Sequence, residues 1–527
     1  MTDSLPTSVE LLVVGGGING LAITRDAAAR GLDVLLIERD DLGAETSNWS
    51  SRMIHGGLRY LEQLDLALVH ESLRERETLF QRAPHLVKPM DLVIPVFEDS
   101  TRNRVVITAG MVLYDLLSWR KSVSWFRPMS RRATIAKVPG LRRQGLKGAV
   151  RYTDGQVELS ERLCVELALD AIRLGARVVT HRSVTGLENA SDGVRAMLSD
   201  GSKVTASVVV NAAGPWVDEV LGGSGRRLIG GTRGSHIALA RFEGAPTKTV
   251  HFETEDGKPL LVIPWRGVLL IGSTDHLDDS PDRKPAVSPE ERALLVRQVN
   301  RLFPAARITE DDILFEYCGV RPLPYVEGKA ATAITRRHYL HAHSEFNNQV
   351  ISVIGGKLTT HRSLAEEAVN AVQQRLGPVT PCATTLLPFP GATTPTRVEH
   401  ELAAWADLGV APEVAQSVVD RYGALSASVR SVVAEDKALA EPIDDAFVRG
   451  EVVHAVHREL AGSLADVVLR RMVVRFDLVS EDLVDEVVKT LVEHCGWDDT
   501  RVAADRAELI AALTRVGVHT LTAATKE

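Results

Sequence analysis

Cysteine is scarce in this sequence, and its few copies are scattered. The four cysteines, Cys164, Cys318, Cys382 and Cys495, form neither a C-x-x-C pair nor a Cys/His cluster. A disulfide framework or a zinc site is therefore not expected, and we predict no metal. Such a chain suits a reducing compartment.

Long hydrophobic runs are also missing. No apolar stretch reaches the roughly 18 residues of a membrane-spanning helix. The first ten residues lack the basic and apolar segments of a signal peptide. We therefore expect a cytoplasmic protein whose membrane contact is peripheral, at the inner face of the cytoplasmic membrane.

Net positive charge is absent as well. The formal net charge is −8, which argues against a nucleic-acid-binding protein. The content of 45% hydrophobic and 25% charged residues is that of a globular protein. Because 527 residues are too many for one core, two or more domains are expected.

The first forty residues carry a dinucleotide-binding pattern. A strand at residues 10–14 runs into a G-x-G-x-x-G motif formed by Gly15, Gly17 and Gly20. These glycines permit a tight turn, close approach of the backbone to a pyrophosphate and close helix–strand packing. A second strand ends at Glu38, whose carboxylate suits ribose hydroxyls and disfavours NADP. This β-α-β unit predicts a doubly wound α/β domain of the Rossmann type.

Two features favour FAD over NAD. Only one such glycine motif occurs, near the start of the sequence. A later apolar strand, residues 208–212, leads into Ala213 and Gly214, which can return the chain to the same cofactor. An ordinary core strand and turn is the alternative interpretation of this segment.

The pattern of elements divides the chain into three parts. We predict an FAD-dependent oxidoreductase region at residues 1–377, a linker rich in proline and threonine at 378–396, and a C-terminal helical domain at 397–527. Residues 452–473 are one example of its helical periodicity. Within the first region, a doubly wound domain and an interleaved β-rich substrate-binding domain are expected. The cofactor-binding segments are about 8–75, 150–225 and 345–377, and the substrate-binding segments are about 76–149 and 226–344.

A short loop after the β-α-β unit combines polar and small residues. The segment SSRMIHGGLRYL contains His55, Gly56, Gly57 and Arg59. Glycine lets the backbone approach a flat ring, histidine can accept a proton near neutral pH, and arginine can hold an anion. A surface histidine beside a solvated arginine is the alternative, and it would be favoured for an isolated pair.

Eight blocks of sequence together resemble the aerobic glycerol-3-phosphate dehydrogenase family. In the family's order, between residues 10 and 366, they read VVGGGINGLAITRDAAARG, SSRMIHGGLRYLE, NAAGPWVDE, GSHIAL, IPWRGVLLIGSTD, GVRPL, AITRRHY and GGKLTTHR. The resemblance implies a bound FAD, oxidation of sn-glycerol 3-phosphate to dihydroxyacetone phosphate, electron delivery to a membrane quinone and, as a possibility, a homodimer. An oxidase that uses molecular oxygen and a non-catalytic flavin-binding sensor are the alternatives.

The resemblance also implies roles for individual residues. The substrate residues are Arg59, Arg321, Arg336 and Lys357, and the catalytic residues are His55, His236 and Arg321. The FAD residues are Gly15, Gly17, Gly20, Glu38, Ser47, Ser51, Ala213, Gly214, Gly356, Lys357, Leu358 and Thr359. The residue types suit the reaction, because a phosphate dianion needs cationic partners that arginine supplies in bidentate form. For each arginine considered alone, a surface ion pair is the alternative.

One segment has the composition of a membrane-surface anchor. Residues 102–132 contain seven Lys/Arg residues and a single acidic residue, Asp115, interleaved with Trp119 and Trp125. The apolar stretch at 105–117 is too short to span a bilayer. Basic and aromatic side chains around a short apolar helix suit an anionic bilayer surface. A buried core helix with a solvated basic end is an equal alternative.

Overall fold

The computed structural model describes residues 5–62, 64–222, 227–278, 280, 282–328 and 334–519. The strands are β1 (Ser8–Val14), β2 (Val34–Ile37), β3 (Met53–Ile54), β4 (Val87–Phe97), β5 (Arg127–Ser130), β6 (Leu146–Val157), β7 (Arg177–Val179), β8 (Val184–Ala190), β9 (Gly193–Leu198), β10 (Lys203–Asn211), β11 (Thr232–Leu239), β12 (Thr249–Glu253), β13 (Pro259–Trp265), β14 (Val268–Gly272), β15 (His276–Leu277), β16 (Ile313–Arg321), β17 (Tyr339–Ala342) and β18 (Val350–Ile354). The helices are α1 (Ile18–Ala29), α2 (Arg59–Glu62), α3 (Leu66–Arg82), α4 (Arg104–Leu117), α5 (Arg131–Lys137), α6 (Ser160–Arg173), α7 (Val217–Val220), α8 (Pro289–Leu302), α9 (His361–Leu376), α10 (Pro395–Ala406), α11 (Pro412–Tyr422), α12 (Ser426–Glu435), α13 (Arg449–Arg458), α14 (Glu481–Cys495) and α15 (Asp499–Arg515).

A largely parallel sheet forms the first domain. Its strand order is β17-β18-β10-β1-β2-β7, and all neighbouring pairs except β17–β18 are parallel. The central strands are apolar on both faces because both faces are covered. Helices α1, α6 and α9 pack on one face, and β9 with α7 contributes to the core on the other. The doubly wound fold expected from the sequence is confirmed.

A second, mostly antiparallel sheet forms the β-rich part of the molecule. Its strand order is β15-β11-β14-β13-β12-β4-β6-β3, with β16 paired to β11 and β5 paired to β6. Helix α8 covers one face and supplies Leu295, Val299 and Leu302 to a separate core. The chain enters this sheet from the first domain several times, so the two domains interleave along the sequence as expected.

The turn after β1 lies directly against the residue that follows β10. A Cβ atom on Gly15, which has a φ of +108°, would lie 2.7 Å from the carbonyl oxygen of Ala212. A Cβ on Gly20 would lie 1.9 Å from the carbonyl oxygen of Gly15. The first and third glycines of the motif therefore act as predicted, by permitting the turn and the close packing of α1.

The C-terminal part of the chain is helical and has two apolar cores of its own. The helix expected at residues 452–473 is interrupted, because α13 ends at Arg458 and Leu460 has a φ of +61°. A π-helical turn, Asp466–Arg471, follows. The interruption places Glu459 where it faces the first domain.

Buried ion pairs attach this helical domain to the cofactor-binding domain. Arg162 on α6 forms two hydrogen bonds of 2.7 Å with Glu459, and both side chains are fully buried. Arg471 forms a similar pair with Asp41, which lies just after β2, at distances of 2.6 and 2.8 Å. The helical domain therefore holds the segment that follows the first β-α-β unit.

Candidate active site

A cavity of about 790 Å³ is lined by residues from both sheets. It extends from the glycine-rich turn after β1 to the end of β16. Of the residues predicted to bind FAD, those lining it are Gly15, Gly17, Glu38, Ser47, Ser51, Ala213, Gly214, Gly356, Lys357, Leu358 and Thr359. Gly20 does not line it and instead brings α1 against the turn.

Glycine forms the cavity wall at two places where the backbone conformation and the close packing behind it exclude a side chain. Gly15 and Gly356 have φ values of +108° and +99°, in the region that favours glycine. A Cβ on Gly356 would lie 2.6 Å from the Asn19 amide nitrogen. Both glycines line the cavity, so a long cofactor can lie against the main chain there, and the residues present fit FAD.

Glu38 organises the turn at one end of the cavity. Its carboxylate accepts hydrogen bonds from the backbone N–H of Gly16 and, at 2.7 Å, from that of Asp40. Burial raises the pKa of Glu38, while these two hydrogen bonds oppose the rise. Ser47 accepts a hydrogen bond of 2.9 Å from the N–H of Ile18 at the start of α1. Both predicted residues thus shape the main chain around the cofactor site.

Two predicted substrate arginines meet at the other end of the cavity. Asp275 lies between them, with its carboxylate 3.4 Å from an Nη atom of Arg321 and 2.7 Å from one of Arg336. Arg321 also donates a 2.6 Å hydrogen bond to Ser273. Burial and the charge of Arg336 lower the pKa of Arg321. The site thus concentrates positive charge against the cavity, and Asp275 partly balances it.

His55 and Lys357 lie in the same cavity. The backbone N–H of His55 donates to the Thr359 hydroxyl at 3.1 Å. Burial lowers the pKa of His55 below its ordinary value, so the ring is neutral at pH 7. Burial also lowers the pKa of Lys357 to about 7. The Lys357 ammonium donates to Ser72 at 3.1 Å and lies 4.1 Å from the ring centroid of Tyr60.

His236 is the second predicted base, and it is held more rigidly. Its Nε2 lies 2.8 Å from the Ser51 hydroxyl, and its ring stacks on Tyr317 at a centroid distance of 4.8 Å. Burial, reinforced by the charges of Arg321 and Arg52, lowers the pKa of His236 to about 3. This ring therefore stays neutral throughout the physiological range.

The sequence did not predict three residues near the site, and the side chain of one predicted residue lies outside the described part of the chain. The side chain of Arg59 lies outside the described residues, although its backbone begins α2. Asp275 was missed although it stands in the IGSTD block. Tyr114 contacts the His55 loop and Asp154 binds Tyr114. Neither carries a local sequence signal, because these contacts join residues 58 and 40 positions apart.

Known proteins resemble this chain along most of its length. A family described as FAD dependent oxidoreductase matches residues 10–362, and one described as the C-terminal domain of alpha-glycerophosphate oxidase matches residues 382–502. The glycerol-3-phosphate dehydrogenase of Synechocystis sp. is 42% identical, with 93% of this chain and 94% of that protein covered. The aerobic glycerol-3-phosphate dehydrogenase of Staphylococcus aureus is 27% identical, with coverage of 96% and 94%. The glycerol-3-phosphate dehydrogenase of Bacillus halodurans, solved in complex with FAD, has the same fold, with a TM-score of 0.79, 24% identity and coverage of 98% and 97%.

Replacing Glu38 should weaken the binding of FAD, the cofactor of this protein. Glu38→Gln removes the charge that accepts from two backbone amides, and losing such contacts should raise the Kd for FAD roughly 10- to 100-fold. The Kd can be measured by flavin fluorescence during titration of the apoprotein. Glu10→Gln is a matched control, because Glu10 accepts a 2.8 Å hydrogen bond from a backbone amide outside the cavity. Equal FAD affinity in both variants would contradict the assignment.

Proposed function

This chain belongs to the FAD-dependent oxidoreductase family, among its glycerol-3-phosphate dehydrogenases, and we propose that it oxidises sn-glycerol 3-phosphate to dihydroxyacetone phosphate and delivers the electrons to a membrane quinone. Bound FAD supplies the hydride acceptor for such a reaction. The observation that carries the proposal is the meeting of Arg321 and Arg336 with two neutral histidines in one cavity. The side chains described here bind the anion, orient the alcohol and remove its proton.

The two arginines support recognition of a phosphate. Each lies partly buried and keeps contact with the cavity, and each already holds one oxygen of Asp275. Two guanidinium groups in a partly dry site can bind a dianion more strongly than a neutral ligand. Gly234 makes room for this arrangement, because a Cβ there would lie 2.1 Å from the Arg321 guanidinium. Glycerol 3-phosphate matches this charge, and glycerol does not.

His55 is the preferred base for the proton of the C2 hydroxyl. A base must be neutral in order to accept a proton, and both histidines satisfy this at pH 7. The pKa of His236 is about 3, so its protonated form is strongly disfavoured. His236 therefore suits a hydrogen-bonding role better than the role of a base. Asp154 opposes the lowering of the His55 pKa, so a proton gained by His55 is better tolerated.

The proposed acceptor is supported by the surface around α4. Several large apolar side chains are exposed there: Val105, Val106, Val112, Leu116, Trp119 and Trp125. Exposed arginines flank them, namely Arg104, Arg120, Arg127, Arg131 and Arg132. Within the described part of the chain, none of the helices has the length and hydrophobicity needed to cross a bilayer. An anionic bilayer surface matches this combination of charge and apolar area.

One basic residue of this segment does not contribute to the surface. Lys121 is buried against the carboxylate of Asp115, which also accepts from the backbone N–H of Phe126. This pair fixes the end of α4. The charge of Lys121 is therefore balanced by the one acidic residue of the same segment.

Removing either arginine should abolish most of the preference for a phosphorylated substrate. Arg321→Ala and Arg336→Ala should lower kcat/KM for glycerol 3-phosphate roughly 30- to 1000-fold, as expected for loss of a charge-assisted contact with a partly buried anion. Activity on glycerol should change far less. Arg321→Lys should rescue only in part, because an ammonium cannot form the bidentate contact. Arg337→Ala, at an exposed neighbouring arginine, is the matched control. An unchanged ratio of the two kcat/KM values in FAD-loaded variants would refute the phosphate assignment.

The pH dependence of kcat/KM should identify the base. If His55 accepts the proton, kcat/KM falls as the pH drops through the His55 pKa, which lies below its ordinary value of 6.5. If His236 were the base, activity would persist down to about pH 3. His55→Gln should lower kcat roughly 10²- to 10⁴-fold and remove the acidic limb of the profile. Retention of this limb in His55→Gln would exclude His55.

Neutralising the α4 surface should weaken binding to anionic vesicles. Arg120→Gln/Arg127→Gln should reduce partitioning roughly 10- to 30-fold at low salt, because each charge near the surface contributes about 1 kcal/mol. The difference should shrink at high salt. Lys203→Gln/Lys489→Gln removes the same charge from exposed positions elsewhere and serves as the control. Vesicle sedimentation measures binding.

Quinone reduction in the same vesicles should exceed peroxide formation, and the reverse result would favour an oxidase.

A further inference from the structure

Helix α4 has a buried side that contacts the loop of His55. Tyr114 on this side is 1% exposed. Its hydroxyl lies 2.9 Å from the backbone nitrogen of Gly56 and 2.8 and 2.9 Å from the two carboxylate oxygens of Asp154. The residue next to His55 is thus joined to a helix that is distant in the sequence.

The direction of each hydrogen bond follows from the chemistry of the groups. The Gly56 N–H can only donate, so the Tyr114 oxygen accepts from it. The single phenolic hydrogen is then directed to Asp154, whose carboxylate also accepts from Arg76. Burial raises the pKa of Tyr114 well above its ordinary value, so the hydroxyl keeps its hydrogen. The Gly56 N–H, the Tyr114 hydroxyl and the Asp154 carboxylate are therefore all hydrogen-bonded.

This network leaves little freedom to the peptide units around His55. The N–H of His55 is bound to Thr359, and the next N–H, that of Gly56, is bound to Tyr114. A Cβ on Gly56 would lie 2.5 Å from the Tyr114 oxygen, so only glycine permits this contact. The two consecutive amides are held by two different elements, the loop before α9 and α4.

We propose that Tyr114 is a positioning residue for the oxidation, which acts by fixing the Gly56 amide and thereby the ring of His55. The proposal rests on the proposed function, in which His55 accepts the proton of the substrate. Tyr114 itself does not line the cavity, so its effect reaches the substrate through the loop. A displacement of the base by about 1 Å can cost on the order of 100-fold in rate.

Tyr114→Phe keeps the ring and removes only the hydroxyl. We expect kcat for glycerol 3-phosphate to fall roughly 10- to 100-fold, with KM changed less than about threefold. Hydrogen exchange of the peptide containing residues 53–58 should become faster, because the Gly56 amide loses its acceptor. Tyr422→Phe is the matched control. Tyr422 is also fully buried, and within the described residues its hydroxyl has no hydrogen-bond partner.

Combining Tyr114→Phe with His55→Gln separates positioning from general destabilisation. If Tyr114 acts through His55, the double variant should be no slower than His55→Gln alone. Multiplied effects, a kcat within twofold of wild type, or unchanged exchange at residues 53–58 would each overturn the proposal. Wild-type protein that fails to oxidise glycerol 3-phosphate would overturn the proposed function together with this one, whereas normal wild-type turnover with an unaffected variant would overturn only the role of Tyr114.

Discussion

The close approach of the carboxyl ends of β1 and β10 is the constraint on which the rest of the structure depends. The strands pair in parallel up to Val14 and Asn211, and the chain leaves both at the same edge of the sheet. The turn at Gly15 then lies against Ala212 with no space for a side chain. Both strands end at this edge of the sheet, so a dinucleotide can lie along it against the main chain. The segments that follow the two strands, α1 and α7, pack on opposite faces of the sheet.

Charge in the cavity is controlled by a few carboxylates at its margins. Asp275 separates Arg321 from Arg336, and Asp154 is held by Arg76 and Tyr114. Burial alone would disfavour the charged form of every basic group here, as the lowered pKa values of His236 and Lys357 indicate. The arginines keep their charge because of their high intrinsic pKa. The outcome is a site in which histidines that favour the neutral form lie beside arginines that stay charged.

The helical domain also contributes to the cofactor region. Arg471 holds Asp41, and Arg515 at the end of α15 forms a bidentate pair with Glu45 and lies 4.8 Å from the ring centroid of Trp49. The loop that carries Ser47 and lies beside α1 is therefore bounded by the helical domain on its outer side. The helical domain supplies none of the predicted site residues. Its position nevertheless affects the shape of the cofactor cavity through these contacts.

The sequence by itself determined the elements whose signals are local. The strand, glycine turn, helix and Glu38 of the first unit are contiguous, so their spacing predicts both the fold and the dinucleotide site. The family resemblance predicted that His55, Arg321, Arg336 and Lys357 share one site, and all four line the same cavity. Only the tertiary structure decided which of these groups touch, because the decisive contacts join residues that are far apart. Asp275 lies 46 and 61 positions from its two arginines, and Arg162 lies 297 positions from Glu459. These pairs form only when two sheets and a helical domain fold around a common cavity. No periodicity or spacing in the sequence therefore indicates them.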